Sequence, residues 1–143
     1  MKLVTFAVFG KVRGQGRPRF TGKKKRKGKK TAYENPDDTA YKKAIAKAYR
    51  QAANGAKFAG EVSISIYVFR KMPNGYSGNS EPDIYRPDVD NIAKAVMDAL
   101  NGVAYDDDKQ VTRLTIIKEQ REKQRKREHM RVYVGAVERV NDD

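Results

Sequence analysis

The chain has 143 residues, a formal net charge of +13 and 38% hydrophobic residues. That suits one domain over residues 1–143, and no run approaches the roughly 20 apolar residues needed to cross a bilayer. With no cysteine and one histidine (His129), disulfides, thiolate zinc sites, iron–sulfur clusters, a Cys nucleophile and multi-His metal sites within one chain are excluded.

In chain order, residues 3–9 (LVTFAVF) are rich in β-branched and aromatic side chains and predict a strand. The N-terminal MKLVTFAVFG is too short and interrupted for a signal peptide. Residues 11–30 hold eleven bases and no acid. A run of that density repels itself and is expected to form a mobile basic loop, about 11–34, until a polyanion neutralises it. Arg13, Arg17, Arg19, Lys23, Lys24, Lys25, Arg26, Lys27, Lys29 and Lys30 are therefore candidate phosphate contacts, with Arg86 further along. A solvated loop without a partner and a nuclear localisation signal are the competing readings of the run.

Asn35-Pro36-Asp37-Asp38 predicts a helix start: a capping side chain, Pro in the first turn, and acids at the positive end of the dipole. Tyr41, Ile45, Ala48, Tyr49 and Ala52 recur at helical spacing, and Asn54-Gly55 supplies the stop. Residues 61–70 alternate and form the clearest strand, with Val62, Ile64, Ile66 and Val68 on one face. A long polar loop follows. Asp90-Asn91 is expected to open a second helix, with Asp90 as its cap, Ile92, Val96, Ala99 and Leu100 as its stripe, and Gly102 closing it. Residues 111–117 and 131–137 predict two more strands. The charged connector between them, 118–131, reads as a hairpin extension or a short solvated helix, and His129 within it as an exposed residue. The order β-α-β-α-β-β implies an α/β (α+β) fold, a mixed β-sheet carrying two main helices.

Against the basic background, residues 81–108 hold eight acids and two bases. Carboxylates repel nucleic acid, and a hard divalent cation between carboxylate and phosphate reconciles the two. Asp88 and Asp90 are two residues apart, so an extended segment puts both on one side. The Asp106–Asp108 run lies just beyond the helix, and a helix that leaves and a strand that returns could bring Asp108 back to them. Three carboxylates around one or two such ions suit phosphodiester hydrolysis, with Lys94, one turn beyond Asp90, stabilising developing charge or orienting water. Oxygen ligands favour Mg²⁺, with Mn²⁺ as a substitute. Individually, Asp90 reads as a cap and Asp106–Asp108 as an exposed turn. An EF-hand fails because Ala93 stands where its Gly belongs, and no Gly-x-Ser-x-Gly elbow or complete phosphate-binding fingerprint exists.

Arg86-Pro87-Asp88-Val89-Asp90-Asn91-Ile92-Ala93-Lys94, then Asp98-Ala99-Leu100-Asn101-Gly102 and Asp107-Asp108-Lys109-Gln110-Val111, resembles the RusA family of Holliday-junction resolvases, as does Gly14-Gln15-Gly16-Arg17-Pro18-Arg19-Phe20. The resemblance covers most of residues 1–118. It implies a homodimeric, Mg²⁺-dependent endodeoxyribonuclease that resolves four-way DNA junctions by paired symmetric nicks, in the cytoplasm of a bacterial or phage-infected cell, often from a prophage. Branched DNA and a second copy are the implied partners, with no membrane and no organic cofactor. Asp88, Asp90 and Asp108 resemble the metal-binding triad and Lys94 the essential lysine. Asp108 is preferred to Asp107 because it directly precedes the x-Gln-Val segment. Two features depart from the pattern: the dense lysine insert at 23–30, which leaves substrate range and sequence preference open, and the third acid, Asp106, which leaves open which of the three aspartates is the ligand. A basic architectural nucleic-acid-binding protein without catalysis, or a junction binder that no longer cuts, is the alternative.

Overall fold

A computed structural model describes residues 3–16 and 35–140 in full, and residues 19–20 and 32–33 as backbone. The strand β1 (Leu3–Phe9) is followed by two-residue strands β2 (Arg19–Phe20) and β3 (Ala32–Tyr33), which pair with each other. Helix α1 (Pro36–Ala53), strand β4 (Val62–Phe69), the short β5 (Ser80–Glu81) and helix α2 (Val89–Leu100) come next. Strand β6 (Val111–Lys118), the short β7 (Arg121–Glu122) and β8 (His129–Ala136) complete the order. The fold is mixed α+β, as the sequence pattern implies.

Local chemistry explains the elements. Asn35 Oδ1 accepts from Asp37 N at 2.8 Å, and Pro36 occupies the first helical position, where its missing N–H costs nothing. Asn54 takes the left-handed conformation that ends α1, at φ 52°. The core residues of α1 are Tyr41, Ile45, Ala46, Tyr49 and Ala53; Ala52, expected on the apolar stripe, is exposed. In α2, Ile92, Val96 and Leu100 are fully buried. Removal of any of these large side chains costs about 2–5 kcal/mol in a packed core.

The main sheet has the order β1-β8-β4-β6. β8 runs antiparallel to both β1 and β4, whereas β4 and β6 are parallel. That parallel pair requires a crossover, and α2 lies within it. Val4, Phe6 and Val8, Val62 to Val68 at alternate positions, and Met130, Val132 and Val134 pack with both helices in one core. On the opposite face Tyr67 and Tyr133 meet edge to face at 5.7 Å.

Three expectations need correction. The connector after β6 is neither a hairpin with β8 nor a helix. β4 intervenes between β6 and β8, and β7 pairs instead with the distant β5. Two strands adjacent in sequence are only presumptive neighbours, because a central strand is the better place for the apolar β8. His129 is half-buried, not exposed, and its ring stacks on Phe69 at 4.8 Å and lies 5.2 Å from Phe9. Finally, the cap of α2 is Asp88, in extended conformation, and Asp90 stands inside the first turn. Both residues suit a cap chemically; the helix starts earlier because Asp88 O accepts from Ile92 N at 3.1 Å.

Candidate active site

The approach of the opening glycine segment to α2 builds the site. Gln15 N donates to Asn91 O at 2.8 Å. A Cβ on Gly14 would lie 2.9 Å from both Asn91 Cβ and Pro87 Cβ, so only glycine permits this contact. Upstream, Glu128 holds the exit of β1: its Oε2 accepts from Val12 N at 2.6 Å and its backbone O from Gly10 N at 2.9 Å. The result is a cleft of about 700 Å³ where Lys11, Arg13 and Arg86 face the same space as Asp88 and Asn91. Arg13 is steered by an ion pair with Asp38 at 3.1 Å.

Asp88 is exposed, and although it caps α2 its side chain makes no capping hydrogen bond. Asp90 and Lys94 are exposed on the helix, and Asp98 one turn further pairs with Lys42 at 3.8 Å. Among the described residues, neither Asp88 nor Asp90 has a side-chain hydrogen bond or ion pair, so their oxygens are uncommitted to those residues.

The Asp106–Asp108 run divides into three roles. Asp106 makes an exposed ion pair with Lys57 at 3.4 Å. Asp107 caps a single 3-10 turn, accepting from Lys109 N at 2.9 Å. Gln110 brackets that turn with its whole amide. Its oxygen accepts from Asp106 N and Asp107 N, and its nitrogen donates to Phe58 O and Gly60 O. Asp108 is left half-buried, with Oδ1 out of solvent and without a hydrogen-bond partner among the described residues. The neighbouring Tyr105 hydroxyl donates to Met97 O at 3.2 Å and also lies within reach of the Asp108 carboxylate. Burial pushes the Asp108 carboxyl above its ordinary value, the Tyr105 hydroxyl draws it down, and the charges of Asp98 and Asp107 raise it further.

Within one chain Asp108 thus lies beside the C-terminal half of α2, whereas Asp88 and Asp90 stand at its N-terminus. Two helical turns span about 11 Å. Among the described residues no three His, Cys, Asp or Glu side chains gather closely enough to hold a metal ion. The donor types nonetheless fit a hard divalent cation: oxygens only, an uncommitted Asp88 carboxylate and an orphaned Asp108 oxygen. Of the basic candidates, Arg13 and Arg86 line the cleft. Arg17, Lys23, Lys24, Lys25, Arg26, Lys27, Lys29 and Lys30, and the side chain of Arg19, lie outside the described residues. The sequence reading missed Lys11, Gln15 and Asp38 as parts of the cleft. It also missed Lys118, the last residue of β6, whose signal was its place on the same alternation as Leu114 and Ile116.

A mixed sheet with two helices on one face, and a cleft that sets cations beside a carboxylate, defines an α+β protein equipped to meet a polyanion. Comparison with known proteins narrows the class. The family model described as Endodeoxyribonuclease RusA matches residues 10–134, and the chain belongs to this family of Holliday-junction endonucleases. A similar protein from Bacillus subtilis (strain 168), described as uncharacterized protein YqaN, is 34% identical over 128 residues, covering 82% of this chain and 88% of the relative. No helix among the described residues is long and apolar enough to cross a membrane.

Proposed function

We propose that the protein is a homodimeric, Mg²⁺-dependent endonuclease that resolves four-way DNA junctions by paired nicks. One observation carries this reading beyond family membership: the Gly14 segment packs on the α2 N-terminus, so cations that suit phosphates share a cleft with Asp88. Pure binding gains nothing from a carboxylate there.

In this reading Lys11, Arg13 and Arg86 bind and orient the DNA backbone, and Lys94 stabilises charge that develops on the scissile phosphate. Asp88, Asp90 and Asp108 would hold Mg²⁺, which would supply Lewis-acid polarisation and a nucleophile at neutral pH. Mg²⁺ is ordinarily held by one or two carboxylates together with substrate phosphates. Coordination positions that the carboxylates do not fill would be open to DNA phosphate and water. A C2 dimer also presents two equivalent sites to the two-fold symmetric junction. The roles of Asp106 and Asp107 in the turn support Asp108 as the ligand from that run.

The test is nicking of a labelled four-way junction with Mg²⁺, beside linear duplex and single strand, for wild type and Asp90→Asn. Paired cuts confined to the junction and lost in the variant are expected. Junction affinity should fall steeply with salt as phosphate contacts release counterions. The competing reading is a junction binder that does not cut. Tight, salt-sensitive binding without any nicking would select it.

A further inference from the structure

We propose that Asp83, Arg70 and Lys118 are positioning residues that fix the backbone presenting Asp88 and tie together both walls of the cleft. What the fixed carboxylate is for rests on the nuclease reading above.

Asp83 has a fully buried side chain and lies 3.2 Å from Arg70 Nη1 and 3.6 Å from Lys118 Nζ. Both cations then reach past it to the loop before α2. Lys118 Nζ donates to Tyr85 O, and to Pro87 O at 2.9 Å. Arg70 Nη1 donates to Arg86 O at 2.9 Å. Three consecutive carbonyls, the last adjoining Asp88, thus accept from two cations anchored by one carboxylate. The three N–H groups of Lys118 are all directed, two to carbonyls and one toward Asp83.

The same cluster extends to the other wall. Arg70 Nε faces Glu128 Oε1 at 3.7 Å, and the second oxygen of Glu128 accepts from Val12 N. Arg70 is therefore shared between the 85–88 loop and the segment leading to Gly14. Motion of either wall would disturb the other.

Satisfaction of hydrogen bonds does not explain the arrangement. Arg86 is exposed and Tyr85 and Pro87 are only half-buried, so their carbonyls do not call for two charged donors anchored on a buried carboxylate. Nor is a buried ion cluster an efficient source of stability, because apolar replacements of such groups are often neutral or stabilising. Directed donors under an exposed loop instead restrict its backbone. Groups behind a metal ligand act in this way, and their loss typically costs about 10–100-fold in metal affinity or activity.

The test compares wild type with the double variant Asp83→Asn/Lys118→Met, which removes a charge of each sign together and deletes the tethers to Tyr85 O and Pro87 O. Lys118→Gln is the milder companion, should the double variant not fold. Four quantities are measured: thermal unfolding, Mn²⁺ binding by electron paramagnetic resonance without DNA, amide exchange over residues 86–92, and junction binding in EDTA alongside nicking. The expected result is a folded double variant with unchanged junction binding in EDTA, faster exchange at 88–92, and Mn²⁺ affinity and nicking each reduced about 10–100-fold. Lys118→Gln should fall in between. A folded variant, double or single, with wild-type exchange and wild-type Mn²⁺ affinity overturns the positioning role while leaving the nuclease reading intact. A wild-type protein that neither binds Mn²⁺ nor nicks junctions overturns the nuclease reading itself, and with it the role assigned here.

Discussion

The two ends of α2 hold carboxylates by opposite means. At the N-terminus, Asp88 stands in the open, and the protein controls it through its backbone, with Lys118 and Arg70 gripping the three preceding carbonyls. Near the C-terminus, Gln110 ties down the turn and Asp108 itself is partly withdrawn from water, with an oxygen that has no partner. A tethered exposed carboxylate keeps its charge at little cost. A half-buried one is costlier to ionise, and a cation bound beside it would offset that cost. The comparison separates two kinds of proposed ligand: one prepared by geometry, the other by environment.

The largest expected effect lies at the second. Asp108→Asn keeps the shape and removes the desolvated charge. Thermal unfolding should show an unchanged or raised melting temperature, while junction nicking falls to background. Activity that survives with a lowered melting temperature would make Asp108 a structural residue. At the first end, Gly14→Ala forces a methyl group to 2.9 Å from Asn91 Cβ and Pro87 Cβ. Urea denaturation should show a loss of about 1–3 kcal/mol from overpacking, and nicking should decline as the cleft wall moves. Between these sits Asp107→Ala, which removes the cap of the turn without removing the proposed ligand. A loss of about 1 kcal/mol in the same denaturation assay is expected, with nicking retained.

The smallest effect concerns the base of the Asp108 turn. Glu61 accepts from Thr112 and forms a 2.5 Å ion pair with Arg139. Hydrogen bonding from Arg139, then from Thr112, holds its carboxyl at about 2, below the ordinary 4.5. Because the folded value is depressed, the stabilisation is fully present above pH 4.5 and lost as pH falls through about 2. Glu61→Gln should flatten the stability–pH curve in that window and leave it unchanged near neutrality. An unaltered curve would show that this exposed pair contributes nothing.

Much of this fold is legible in local pattern. Alternation identifies β4 and its inward residues, Asn35-Pro36 and Asn54-Gly55 bound α1, and Ile92, Val96, Ala99 and Leu100 give the buried face of α2. The carboxylate-and-lysine pattern from Asp88 to Val111 is as local as those periods, and it points to the family that the comparison shows. These features are set by neighbours within a few residues, so composition and spacing suffice.

The remaining features depend on groups far apart in the chain. The insertion of β8 between β1 and β4, and the pairing of β7 with β5, follow from which strands share a core. Three adjacent aspartates have the same intrinsic chemistry. Lys57, the cap of the turn and the burial beside Tyr105 divide them into an exposed ion pair, a cap and an orphaned acceptor. Lys118 ends a strand more than thirty residues from the loop it grips, and Glu128 lies 116 residues from Val12. Sequence by itself determined which groups are available and which elements carry them. The desolvation and pairing that give each charged group its role arise only when distant segments are packed against one another.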